Sequence, residues 1–344
     1  MNLEKEDRVL GCLFGGAVSD ALGYPIEFAC LKQINKQYGE DGIKGFLLHD
    51  GKACVSDDTQ MTLFTAAGLI NAIETKQSDM GMLAFIWDAY KDWYHTQKRD
   101  SFRYTGKTFL YGKQELHVRR APGNTCLESL RKSKYGGSIE EPINTSKGCG
   151  GVMRVAPIGL IRFGNDGSQN GLLGAKSAAL THGHPLGYIP AFYLADLIHQ
   201  IMEETDDLEE LILKALETTK LVFAENAYIK DFISIMEKAV HCTKTNEPNT
   251  VSIEKIGEGW TGDEALAIAT YASLKYSNDL KKAILCAANH NGDSDSTAAI
   301  TGNILGAYLG IEKVKEAFDI QRLDVYEAIW EISEGLKRQE LKNI

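Results

Sequence analysis

Apolar residues recur at three- and four-residue spacings along most of the chain, the pattern of helices that bury one face. The clearest runs are TQMTLFTAAGLINAIE from Thr59, DMGMLAFIWDAYKDWY from Asp79 and DEALAIATYASLKY from Asp263. The same spacing predicts helices over 187–204, 207–221, 226–243, 279–289, 295–309 and 322–340. No set of alternating polar and apolar positions competes with them, so the predicted fold class is all-α. The seven prolines fall mostly between these helices and no Pro/Gly/Ser-rich linker divides the chain, which predicts one compact multi-helix domain over 1–344. Residues 97–150 break the periodicity and are rich in glycine, so long loops are expected there, where function tends to sit.

Composition narrows the class. Of 344 residues, 44% are hydrophobic and 24% charged, ample for a buried core. The net charge of −10 repels a phosphate backbone and argues against a nucleic-acid partner. No unbroken apolar run of about 18 residues stands out and the N-terminus, MNLEKEDRVLG, is charged, which reads as a cytoplasmic protein with no membrane partner. The seven cysteines are scattered, odd in number and without a Cys-x-x-Cys pair. Zinc ribbons and a disulfide framework are disfavoured, and mostly buried free thiols are expected.

Two acidic clusters carry the chemistry: Val55-Ser56-Asp57-Asp58-Thr59-Gln60 and Asn291-Gly292-Asp293-Ser294-Asp295-Ser296-Thr297, each ahead of a helical run. Alone, either reads as an N-cap. Two such clusters hold more carboxylates than caps can use, and uncompensated negative charge at both helix starts is relieved by a cation between them. With no His or Cys in either cluster, magnesium or manganese is favoured over zinc or copper. An EF-hand opening at Asp293 is excluded, because its sixth and twelfth positions are Ala298 and Ile304.

Other motifs support a site. GCLFGGAVSDALGYPIEF, from Gly11 to Phe28, has small residues at 11, 15, 16, 17 and 19 that let another helix approach closely. It ends in Asp20 and Glu27 beside a Gly23-Tyr24-Pro25 break, which makes Glu27 a candidate general acid/base or gate. Lys147-Gly148-Cys149-Gly150-Gly151-Val152-Met153-Arg154 reads equally as a diphosphate cradle and as a tight turn without a ligand. In Thr181-His182-Gly183-His184-Pro185 a zinc pair lacks a third ligand. His182 reads either as a hydrogen-bond partner of a ribose or phosphate or as a satisfied helix-start histidine.

Together GCLFGGAVSDALGYPIEF, SDDTQMT, KGCGGVMRVAPIGL, THGHP, GEGWTGDEALAIA and NGDSDSTAAITGNILGA resemble, in type and order, the ADP-ribosylglycohydrolase superfamily. The resemblance spans Gly11 to about Gly306. It implies an all-helical fold with a binuclear magnesium or manganese centre in a central ADP-ribose cleft. It also implies metal ligation by Ser56, Asp57, Asp58, Asp293, Asp295 and Ser296, with Glu27 on a flap over the metals. Gly148, Cys149, Gly150, Gly151 and Met153 would embrace the diphosphate and ribose, and His182 would contact the ligand. The implied activity is hydrolysis of an ADP-ribosyl bond, through Asp58 or Asp295 as base toward water and Glu27 toward the leaving group. Arginine-linked ADP-ribose on a protein is the first-choice substrate, with serine-linked or small-molecule ADP-ribosyl compounds next. An ADP-ribosylating enzyme or toxin is a further partner to expect, and a silent ADP-ribose-binding or immunity module is the reading from another class. Two departures stand out: Cys149 replaces an Asn frequent in the family's glycine loop, and an Asp that some members carry near Arg120–Thr125 is missing.

Overall fold

The computed structural model describes residues 3–77, 79–98, 104–163 and 167–340. Its first eight helices are α1 (Lys5–Gly23), α2 (Leu31–Tyr38), α3 (Asp57–Glu74), α4 (Asp79–Thr96), α5 (Asn124–Lys132), α6 (Ala156–Gly159), α7 (Gly167–Ala179) and α8 (Pro185–Glu203). The second eight are α9 (Leu208–Val222), α10 (Ile229–Thr243), α11 (Asn249–Ile256), α12 (Gly262–Lys275), α13 (Leu280–Ala288), α14 (Ser294–Leu309), α15 (Ile311–Ala317) and α16 (Tyr326–Glu340). The strands among the described residues are a two-residue antiparallel pair, β1 (Leu48–His49) and β2 (Lys52–Ala53). The helical class expected from periodicity therefore holds, and apolar side chains from Val9 to Leu336 join in one core cluster.

The small-residue string of α1 explains the most extensive helix pair, α1 on α14. A Cβ on Gly302 would fall 2.1 Å from the Gly15 carbonyl oxygen, and one on Gly11 the same distance from that of Gly306. Gly23 meets the backbone of Ser294 and Asp295 in the same way. The two helices thus run antiparallel, backbone against backbone, and the end of α1 is delivered to the start of α14. Because neither backbone has room to give, Gly302→Ala is expected to cost about 1–3 kcal/mol. Chemical denaturation measures this, and an unchanged midpoint would show that the contact is not tight.

Three differences from the periodicity reading have physical causes. The expected loop 97–150 contains α5, a nine-residue helix whose buried face is only Cys126, Ser129 and Leu130, too short to register as a repeat. Helix α7 has the sequence GSQNGLLGAKSAA, in which glycines break the apolar repeat and admit α8: a Cβ on Gly174 would lie 2.7 Å from the Ala191 carbonyl oxygen. The segment expected as helical from 322 turns through a 3-10 element, Ile320–Arg322, before α16 starts at Tyr326. Lys5–Ile26 has the length and hydropathy to cross a bilayer, yet 89% of its most apolar window is buried inside the protein, as a core helix.

Candidate active site

The antiparallel α1–α14 pair brings the two acidic clusters together. Asp20, fully buried near the end of α1, accepts the backbone N–H of Ser56 at 3.0 Å on both carboxylate oxygens and that of Thr59 at 3.1 Å. It thereby ties the N-terminus of α3 to α1. Arg120 holds the same turn from outside, with its guanidinium 3.1 Å from Asp324 and 3.2 Å from the Val55 carbonyl. Its own carbonyl accepts the Asp57 N–H. Ser56 caps α3 by accepting the Asp58 N–H at 3.2 Å, and Asp293 caps α14 by accepting the Ser296 N–H at 3.1 Å. The N-cap reading was therefore correct for one residue of each cluster, and it leaves the other carboxylates unexplained.

Those others are all buried. Asp57 accepts the Gly123 N–H at 3.0 Å and Asp295 the Ser296 N–H at 2.9 Å. Asp58 has one carboxylate oxygen with no hydrogen-bond partner. Glu27, which follows the 3-10 turn Tyr24–Ile26, likewise keeps a buried, partnerless Oε2. Burial, then the charges of Asp295, Asp293, Asp57 and Asp20, push the Glu27 carboxyl up to about 10. Burial and Asp295 push Asp20 up to about 7. Burial and neighbouring carboxylates hold Asp57, Asp58 and Asp295 well above the usual carboxylate range, and burial raises Asp293.

Six carboxyl groups sharing one buried region are stable only as acids or with cations among them. Among the described residues no three His, Cys, Asp or Glu side chains converge as a ready-made metal cage. The donor set nonetheless fits hard divalent ions: it consists of carboxylates and hydroxyls at two helix starts, with two buried oxygens left unpartnered.

The glycine loop closes one side. Cys149–Gly151 forms a 3-10 turn whose first N–H bonds to the Trp260 carbonyl at 3.2 Å, while Gly148 bridges Thr261. The Cys149 thiol donates to Asp293 at 2.9 Å and accepts from the Ser296 hydroxyl at 3.6 Å, so the unusual cysteine faces the acidic cluster. Burial and the Asp293 charge hold it as a thiol, far above its ordinary range. Met153 is buried, with its sulfur 4.0 Å from Ser296 Oγ. Gly292, at φ +119 and with a Cβ position 1.9 Å from the Glu258 carbonyl oxygen, admits no side chain; the Asp293 N–H bonds to that same carbonyl.

His182 lies in the turn between α7 and α8, with Nε2 facing Gly148 and Gly150. The helix-start role belongs to His184, whose ring accepts the Leu186 N–H at 3.1 Å. A groove of about 440 Å³ lies along α5, between Asn124, Thr125, Glu128, Ser129, Lys132 and Ser133 on one side and Ile143, Asn144 and Ser146 on the other. At the other edge Phe28, 74% exposed, stacks on Trp260 at 6.0 Å and 12°. All the residues singled out in the sequence thus gather in one region. Asp20, Gly123 and Arg120 were not counted with them, since supporting a loop through backbone groups leaves no motif.

The profile of the ADP-ribosylglycohydrolase family matches residues 1–343. ADP-ribosylhydrolase ARH3 of Bos taurus is 24% identical, over 96% of this chain and 92% of that protein. The ADP-ribosyl-[dinitrogen reductase] glycohydrolase of Rhodospirillum rubrum is also 24% identical, over 93% and 91%. A solved structure described as an ADP-ribosylglycohydrolase-related protein complex superposes with a TM-score of 0.57 at 20% identity, over 98% of this chain and 99% of the other, and so shares its fold.

Proposed function

This chain belongs to the ADP-ribosylglycohydrolase family, and from that premise we propose that it hydrolyses the bond between ADP-ribose and a modified protein side chain, arginine first. The observation that carries the reading is the burial of the Asp57/Asp58 and Asp293/Asp295 pairs at adjoining helix starts with Asp58 and Glu27 oxygens left open. Ser56, Asp57, Asp58, Asp293, Asp295 and Ser296 would hold two magnesium or manganese ions. Such ions, when bound, supply Lewis acidity and make water a better nucleophile at neutral pH.

The chain's own residues divide the remaining work. Backbone N–H groups of the glycine loop and His182 receive the diphosphate, and the groove beside α5 takes the adenosine end. Asp58 or Asp295 accepts the proton of the attacking water, and the free Asp58 oxygen is suited to it. Glu27 carries its proton in the metal-free site. Cations held by the neighbouring carboxylates would lower its pKa, which would ready the carboxyl to donate to a leaving group. The transition state is oxocarbenium-like, and the surrounding carboxylates favour that developing positive charge.

An arginine-linked substrate is favoured because the departing guanidinium is a planar cation, and the exposed Phe28–Trp260 stack offers it a π-face beside Glu27. The Rhodospirillum rubrum relative, named for dinitrogen reductase, supports a protein as the bearer of the modification. All seven cysteines are free, which supports work in a reducing compartment such as the cytoplasm.

Matched peptides carrying arginine-linked and serine-linked ADP-ribose test the assignment. Faster release from the arginine linkage is expected. Release from the serine linkage alone would reassign the substrate, and binding of both without release would leave a recognition module.

A further inference from the structure

Away from the acidic site, the outer face of α4 and the segment that follows α5 enclose a cavity of about 840 Å³. Trp87 and Leu180 form its buried floor, with Leu83 beside them. Its charged lining is Lys91, Lys107, Lys134 and Asp88. Lys107 lies 2.5 Å from Asp88 and accounts for that carboxylate. Lys91 donates instead to the Leu130 carbonyl and, at 2.8 Å, to the Ser133 carbonyl, and sits 5.0 Å from the Trp87 ring. Lys134 lies 4.8 Å over the ring of Tyr135. Neither is in an ion pair among the described residues. The next carboxylate on α4, Asp92, is fully buried and spends both oxygens on Tyr104, Lys107 and Thr108. His95 stacks on Tyr104 at 3.6 Å, and burial, then Lys98 and Lys91, lower its pKa, so it adds no charge at pH 7. A chain of net charge −10 thus carries a groove with cations in excess, whose field attracts carboxylates.

The wall opposite α4 is pinned through its backbone. Trp87 donates its indole N–H to the Lys134 carbonyl at 2.8 Å, and the Gly137 N–H bonds to the Leu180 carbonyl at 3.0 Å. Ser133 Oγ accepts the N–H groups of Tyr135 and Gly136 at 3.3 and 2.9 Å. Gly136, at φ +84, presses on the floor, where a Cβ would lie 2.8 Å from a Leu180 methyl. A backbone held this way displays Tyr135, 73% exposed, at little ordering cost on binding. It also leaves no N–H of Tyr135, Gly136 or Gly137 to wrap a phosphate, and no arginine is among the described residues of the lining. Lysines acting as point charges above an apolar floor suit carboxylates spaced around an apolar side chain. Ser133 lines the groove along α5, and Leu180 stands two residues before His182, so a chain docked here lies beside the ligand cleft.

We propose that this groove docks an acidic segment, with one aromatic or aliphatic anchor, of the protein that bears the modification. The bearer as occupant rests on the proposed function. Charge complementarity and the displayed tyrosine carry the chemistry of the segment.

A fluorescein-labelled heptapeptide of glutamates around one phenylalanine, free of ADP-ribose, reads the groove by anisotropy. Peptides ADP-ribosylated on arginine, with an acidic or a neutral extension, read its use by a substrate. The wild type is expected to bind the acidic probe, more weakly as salt rises. Lys134→Glu and Tyr135→Ala, both at exposed positions, should weaken the probe roughly tenfold, and Lys230→Glu on α10 should not. The same two variants should raise KM for the acidic extension roughly tenfold at unchanged kcat, and alter nothing for the neutral one. A wild type that does not bind the probe overturns the proposal, as does unaltered binding in both variants. Displacement of the probe by ADP would make the groove a nucleotide site and overturn it equally. Probe binding with release from neither modified peptide removes the substrate as occupant because the activity itself has failed, a result distinct from loss of docking.

Discussion

Asp295→Asn is expected to abolish useful turnover, by roughly a hundred- to a thousandfold, while the metal-free protein melts at a higher temperature than the wild type. The two halves of that expectation share one cause. Asp295 is buried, its pKa is driven up by burial and by Asp293, and it in turn raises Asp20, Glu27 and Asp58. Removing its charge relieves repulsion in the empty site, and the same change removes a ligand and a candidate base from the working site. The fold tolerates it because the Ser296 N–H that caps α14 is also held by Asp293. Steady-state release of ADP-ribose and thermal denaturation in chelator measure the two effects. A variant that loses stability as well as activity would mean that Asp295 is a structural cap.

Magnesium or manganese is expected to stabilise the wild type strongly, by about 2.7 kcal/mol at a hundredfold excess over the dissociation constant, and chelator to reverse this. The pH dependence of the metal-free protein follows from the raised carboxyls. A group whose folded pKa lies above its unfolded value contributes stability below the unfolded pKa and loses it as pH rises through the folded one. Asp20 at about 7 and Glu27 at about 10 place that loss across the range from about 4 to 10, so metal-free stability should decline with rising pH. Cations compensate the charges that ionisation exposes, so the decline should flatten when they are present. Melting curves at several pH values, with and without metal, give both. Metal-free stability that climbs between pH 6 and 9 would contradict this origin of the shifts.

Much of this was legible in the sequence because helices of this length repeat their apolar face several times. The clusters Ser56–Asp58 and Asp293–Ser296 were legible because carboxylates exceeded what an N-cap consumes. What escaped was information carried by partners distant in sequence. In helix α7 glycines stand where an apolar face would repeat, because α8 packs directly against them. Asp20 was visible as a carboxylate beside a break, but its bonds to the backbone of Ser56 and Thr59 depend on the α1–α14 contact.

The most direct test of the central claim is diffraction from crystals grown with manganese and ADP-ribose, with data collected to locate manganese by anomalous scattering. Two peaks are expected between the start of α3 and the start of α14, within coordination distance of Asp57, Asp58, Asp293 and Asp295. An anomalous map without peaks there, in crystals that contain ADP-ribose beside the glycine loop, would contradict the claim.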